Sequence, residues 1–237
     1  MPDRWRPAAD WSPGPDDVID VWRLDLMVRE EDWTLLSTDE TQRARRILVD
    51  NKRDQKVSAR AHLRRILARY GNTDPAGLVF EYGEHGKPEL THHDELHFNL
   101  SHSRVVGLVA VTRGTRIGVD VEYRRENRAL TDIANRFFSA AESSALLDLA
   151  PEARASAFYR AWAMKEAYLK AWGTGLSFAS NRFTLDYVGD SAGRLVSTDM
   201  PGDDPDEWRF EDVPLRAGYT GAICFEGLNR PLRRWNV

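Results

Sequence analysis

Asp120 and Glu122 stand two residues apart in the run Ile117-Gly118-Val119-Asp120-Val121-Glu122. The run reads as a β-strand, and alternate side chains of a strand share a face. Both carboxylates therefore point one way, and Ile117, Val119 and Val121 point the other. Their Cβ atoms then lie roughly 7 Å apart, close enough for two carboxylates to hold one cation. Gly118 falls on the same face and leaves it open beside Asp120. Hard oxygen donors suit Mg²⁺ better than zinc, and Mg²⁺ held by a few carboxylates completes its shell with water and substrate phosphates. The chemistry suggested first is therefore phosphate chemistry. Paired carboxylates on a strand are more often plain solvent-facing residues, so the reading depends on what else the chain carries.

A second group lies on residues 154–172, which read as a helix. Phe158, Trp162, Leu169 and Trp172 form an apolar stripe, and Lys165 interrupts it. A lysine there calls for a buried or cleft position with an anionic partner. Glu166 follows directly, and Lys170 lies one turn further on, in the favourable order for an i, i+4 pair. The ordinary alternative is a snorkelling Lys165 and a surface Glu166–Lys170 bridge. Beside the carboxylate strand, Glu166 can supply a third carboxylate, and Lys165 and Lys170 can neutralise phosphate charge.

Other constellations fit less well. His92, His93, His97 and His102 match no common zinc spacing, and no cysteine is near them. Ser101-His102 is not set in a Gly-x-Ser-x-Gly elbow, and adjacent residues rarely form a nucleophile–base pair. No Gly-x-x-x-x-Gly-Lys-[Ser/Thr] loop is present, which weakens a nucleoside-triphosphate reading. Residues 41–70 hold ten Arg or Lys against Asp50 and Asp54. Arg60 and Arg64, one turn apart there, can offer two positive charges to one phosphate. Residues 186–212 hold nine Asp or Glu against Arg194 and Arg209, and the acidic stretch 199–212 reads as a solvated loop.

Several elements must position these groups. Residues 18–28 read as a strand, and 38–49 and 54–70 as helices, the second stopped by Gly71. Strands are expected at 96–100, 105–111 and 117–122, then helices at 131–136, 140–149 and 152–172. Strands at 183–187, 208–210 and 219–225 close the chain, while residues 1–20 read as an extended or loosely ordered entry. The order strand, helices, strands occurs twice, with the change near residue 115. The expected class is α+β, with two similar halves at 1–115 and 116–237.

With 237 residues, 42% hydrophobic and 30% charged, the chain has the composition of a soluble globular protein. Cys224 stands alone, so no internal disulfide is possible. No apolar run suits a signal peptide or a membrane span, and a cytoplasmic protein is expected. A net charge of −4 and the lack of a nucleic-acid module disfavour nucleic acid.

Five motifs in order carry a resemblance. They are Gly86-Lys87-Pro88, Phe98-Asn99-Leu100-Ser101-His102-Ser103, the carboxylate strand, Phe137-Phe138-Ser139 with Glu142, and Trp162-Ala163-Met164-Lys165-Glu166-Ala167-Tyr168-Leu169-Lys170. The chain resembles 4′-phosphopantetheinyl transferases of the surfactin-synthetase-activating (Sfp-type) class. The resemblance implies two pseudo-twofold-related α+β halves with coenzyme A in the cleft between them. It also implies transfer of the phosphopantetheine arm to a serine of an apo acyl or peptidyl carrier, releasing 3′,5′-ADP. Such carriers serve fatty-acid, polyketide or nonribosomal-peptide synthesis. Asp120, Glu122 and Glu166 would bind Mg²⁺, with Mn²⁺ a possible substitute, and Glu166 would take the serine proton. Lys165, Lys170 and His102 would act at the pyrophosphate, and Lys87 and Ser101 at the 3′-phosphate. Arg60 and Arg64 or Arg65 would lie near the nucleotide phosphates, and Glu142 near the site in an open role. A monomer is implied. A non-catalytic docking protein for carriers and another Mg²⁺-dependent phosphotransferase are the alternatives.

Overall fold

A computed structural model describes residues 4–125, 130–189, 192–227 and 230–237. The first three residues of the entry segment and Asp190 of the acidic segment 186–212 lie outside them. The chain starts with β1 (Arg6–Pro7) and β2 (Ile19–Asp25), followed by α1 (Glu30–Leu35), α2 (Thr38–Arg45) and α3 (Asp50–Gly71). Next come β3 (Phe80–Tyr82), β4 (Pro88–Leu90), β5 (Leu96–Ser103), β6 (Val106–Arg113) and β7 (Ile117–Tyr123). Helices α4 (Leu130–Phe137), α5 (Ala140–Asp148) and α6 (Pro151–Trp172) then precede β8 (Phe183–Asp186) and β9 (Arg194–Thr198). The last strands are β10 (Trp208–Val213), β11 (Tyr219–Glu226) and β12 (Leu232–Asn236). Helices and largely antiparallel sheets together make an α+β protein. Among the described residues, no helix is long and apolar enough to cross a membrane.

The contacts divide the chain into two units that change at Gly114–Thr115, beside the expected 115/116, with two short segments exchanged between them. The first takes the residues up to Gly83, Pro88–Gly114 and Pro231–Val237; the second takes Glu84–Lys87 and Thr115–Arg230. The physical reason for the exchange of the last residues is β12. It runs parallel to β2, with Trp235 opposite Trp22, and sits inside a five-stranded sheet of order β1-β12-β2-β6-β5. Asp20 on β2 fastens it by accepting from Trp235 Nε1 at 2.7 Å and Arg233 Nε at 2.7 Å. Asp20 also accepts from Tyr70 at the end of α3, at 2.7 Å, and from Trp11 of the entry segment, at 3.0 Å. The described part of the entry segment is thus tied down at Trp11, by its bond to Asp20. The core of this unit joins Trp22, Leu24, Phe98 and Val109 of the sheet to Leu63, Ile66 and Leu67 of α3.

Helix α3 starts at Asp50, before the expected 54, because Val49 takes an extended conformation and begins it. Gly71 is its last helical residue. The left-handed turn falls on Asn72, at φ 45°, a conformation asparagine tolerates. The expected helix over 38–49 ends at Arg45, after opening with a reciprocal Ser37–Glu40 capping box.

The second unit is built on a three-stranded antiparallel sheet of order β10-β11-β7 and on helix α6. Ten residues of α6 are buried, too many for one apolar stripe, so the helix is packed on several sides. Phe158, Met164, Tyr168 and Leu169 share one core with Phe183, Trp208, Phe210, Ala222 and Cys224. Pro151 opens α6 where its missing N–H costs nothing, and Gly173 closes it at φ 74°.

Candidate active site

Gly118 decides how α6 meets β7. A Cβ placed on it would stand 1.9 Å from the Ala167 carbonyl oxygen and 2.6 Å from the Ala171 amide nitrogen. The helix backbone therefore lies directly on the strand, which no larger residue allows. Ala167 and Ala171, one turn apart, are the matching small residues on the helix. The carboxylate face beside Asp120 is thus covered by α6, where the sequence suggested an open face.

That contact brings the third carboxylate to the first two. Asp120 is only 3% exposed, which rejects the solvent-facing alternative. Lys170 leaves its own helix and donates to Asp120 Oδ1 at 2.6 Å, where the sequence suggested a pair with Glu166. Burial, then the charges of Asp120 and Glu166, push the Glu122 carboxyl up to about 7, against Lys170 and a hydrogen bond from Trp162. Burial and Asp120 raise Glu166 as well, and Lys170 opposes the rise. Trp162, Glu166 and Lys170 recur every four residues, so one row of α6 faces the carboxylate pair.

The donor set fits a divalent cation by its chemistry: three carboxylates on β7 and α6, with Asp120 raising the cost of charge on both glutamates. Their side chains do not yet converge. Among the described residues no three His, Cys, Asp or Glu stand close enough together to hold a metal ion.

Lys165 is buried with an anionic partner, as its place in the apolar stripe required, and the partner is Glu142. Its ammonium touches both Glu142 carboxylate oxygens at 2.7 Å and donates to the Phe183 carbonyl at 2.9 Å. Burial pulls the ammonium below its ordinary range, and the Glu142 charge opposes this. Lys165 is 2% exposed and committed to α5 and β8, whereas Lys170 is committed to Asp120. The two lysines hold different carboxylates. Glu142 thereby gains its role: it caps α5 in a box with Ser139, accepts from the Leu185 amide at 2.8 Å, and holds Lys165.

Lys87, expected at a phosphate, donates to the Ala171 carbonyl at 2.8 Å and so caps the C-terminal end of α6. Asp203, from the stretch read as a solvated loop, accepts from Trp208 Nε1 at 2.8 Å and from the hydroxyl of Tyr168 on α6. Beside it, Arg116 at the start of the carboxylate strand reaches Glu226 through two bonds of 2.9 and 2.7 Å. Its guanidinium lies 3.7 Å from the centre of the Trp172 ring. Sequence reasoning missed these anchors. The acidic residues look alike along the chain, and only folding picks Asp203.

In the first unit, Ser101 and His102 are adjacent on β5 and so project to opposite faces. The expected cationic face of α3 is largely neutralised internally. Arg64 pairs with Glu40 at 2.8 Å and donates to the Pro75 and Leu78 carbonyls, with 1% exposure. Arg60 pairs with the same Glu40 at 3.2 Å and donates to the Tyr82 hydroxyl. Arg65 pairs with buried Asp32 at 2.6 Å.

The family profile described as 4′-phosphopantetheinyl transferase superfamily matches residues 116–224, from β7 to β11. A 4′-phosphopantetheinyl transferase of Nostoc, HetI, is 37% identical over 70% of this chain and 76% of its own length. One from Bacillus subtilis is 32% identical over 84% of this chain and 87% of its own. The Sfp transferase of Bacillus subtilis is 27% identical over 81% and 82%. The chain belongs to the 4′-phosphopantetheinyl transferase family.

Proposed function

We propose that this protein transfers the 4′-phosphopantetheine arm of coenzyme A to a serine of an apo acyl or peptidyl carrier protein, releasing 3′,5′-ADP. One observation carries the reading: Gly118 seats α6 on β7, so that Glu166 and Lys170 join Asp120 and Glu122 within the stretch that the family profile matches. The names of the relatives support it.

Asp120, Glu122 and Glu166 are the residues that would hold Mg²⁺, or Mn²⁺ in its place. A bound ion would neutralise the pyrophosphate of coenzyme A and draw charge from the breaking bond. Serine oxygen attacks the phosphorus attached to pantetheine; that bond forms while the bond from this phosphorus to the ADP oxygen breaks. Glu166, whose carboxyl burial and Asp120 hold above its ordinary range, takes the serine proton. Lys170 stabilises charge on the phosphoryl oxygens. Lys165 acts through Glu142 by fixing α6, and Lys87 holds the helix end unless a phosphate competes for it. Ser101 and His102 are proposed coenzyme A contacts on their motif alone. Arg60 and Arg65 are proposed with them, and Arg64 serves the interior. The reading includes two related halves, each owning a 22-residue helix, α3 and α6, and a monomer.

Incubation with Mg²⁺, coenzyme A and a panel of apo acyl and peptidyl carrier domains, followed by intact-mass measurement of the carriers, tests this reading. A gain of one phosphopantetheine that a chelator prevents supports it. Coenzyme A binding with no gain on any carrier would favour a docking protein.

A further inference from the structure

Lys170 has a carboxylate four residues back on its own helix, yet its ammonium crosses to Asp120 Oδ1 at 2.6 Å. Asp120 is buried, whereas the Lys170 side chain is 28% exposed, so the lysine can swing outward while the aspartate cannot. The charge of Lys170 also favours the ionised forms of Glu122 and Glu166. The three carboxylates have the donor chemistry for a divalent ion but are not gathered as its ligands. One ammonium explains both facts, because it already supplies positive charge at the aspartate oxygen.

We propose that Lys170 is a built-in competitor of the divalent cation at Asp120. A cation bound at Asp120 would stand close to the ammonium on Oδ1 and repel it, and the lysine so displaced can turn to a substrate phosphate. Charge is conserved in this exchange: the aspartate trades one cationic partner for another, and the lysine trades a carboxylate for a phosphate oxygen. The inference rests on the metal reading of Asp120, Glu122 and Glu166, and it adds a sign that the reading alone does not contain. Removing a positive residue from a substrate site normally weakens binding of everything there. Here it should strengthen binding of the metal.

The test uses the full chain, stripped of metal with a chelator and titrated with Mn²⁺ alone while free Mn²⁺ is read by electron paramagnetic resonance. Mg²⁺ is then added in competition. Lys170→Met keeps the length of the stem and removes the charge; it should bind Mn²⁺ roughly three- to tenfold more tightly than the wild type, the gain expected from removing one close like charge. Lys170→Arg keeps the charge and should stay near the wild-type affinity. If Lys170→Met does not fold, as judged by circular dichroism, Lys170→Gln carries the same expectation. Equal or weaker Mn²⁺ binding by the uncharged variant would overturn the competition and leave the metal reading standing. No saturable binding by any of the proteins would remove the metal reading and this inference with it.

Discussion

The carboxyls of Glu122 and Glu166 are raised, and by the same causes: burial, and the closeness of negative neighbours. A carboxyl with a folded pKa near 7 binds more protons in the folded chain than in the unfolded one between about 4.5 and 7, so its contribution to stability falls as pH rises through that window. In chelator, the urea midpoint should therefore drop between about pH 5 and pH 7, and Glu122→Gln should flatten the drop. A slope that the substitution leaves intact would assign it to other groups. Arg64 carries a contrasting expectation. Its guanidinium is enclosed by Glu40 and two carbonyls, so Arg64→Ala should cost about 3 kcal/mol by leaving buried Glu40 with Arg60 alone and the Pro75 and Leu78 carbonyls without their donor. The Michaelis constant for coenzyme A, per folded molecule, should stay unchanged; a large rise would return Arg64 to the binding residues. Sequence reasoning found these residues by type but not their partners. Alternation placed Asp120 and Glu122 on one face, yet nothing in the local spacing tells a phosphate-binding arginine from one folded against Glu40, 24 residues away.

At the scale of elements, the site is a helix laid on a strand. Both were legible, because the alternation of 117–123 and the long apolar run of 151–172 are strong local patterns. Their contact was not, although its signal was present in Gly118. A glycine on the inward face of a strand marks a close approach, and the partner turned out to be the Ala167–Ala171 turn of α6. Gly118→Ala should lift α6 from β7 and cost at least about 3 kcal/mol, since the new methyl would meet helix backbone, which cannot rotate aside. A thermal midpoint within a degree or two of the wild type would show that the helix yields easily. On its far side α6 is held through Tyr168 and Asp203. Tyr168→Phe removes the hydroxyl's bonds to Asp203 and Thr198 and should cost about 2 kcal/mol, read as a drop in urea midpoint.

For the whole molecule, the missing part of the sequence reading was the end of the chain. Leu232–Asn236 is short and interrupted by two arginines, so it gives no strand pattern, and its partner β2 lies more than 200 residues away. Short β1, β3, β4 and β9 escaped for the same reason, since two to five residues carry too little periodicity. The consequence is testable. A chain ending at Arg230 loses a strand from the interior of the five-stranded sheet, together with the Trp235 and Arg233 bonds to Asp20, and the first unit should not fold. Wild-type circular dichroism and melting of that truncated chain would contradict the topology. The central claim, however, concerns the carboxylates brought together by α6 and β7. It is tested most directly by the single-turnover rate of phosphopantetheine transfer to an apo carrier by Glu166→Gln, compared with the wild type. The expected result is a loss of about a hundredfold or more with a thermal midpoint no lower than that of the wild type, because the substitution removes a raised, repelled carboxylate. Near-normal turnover by a folded Glu166→Gln protein would contradict the assigned site.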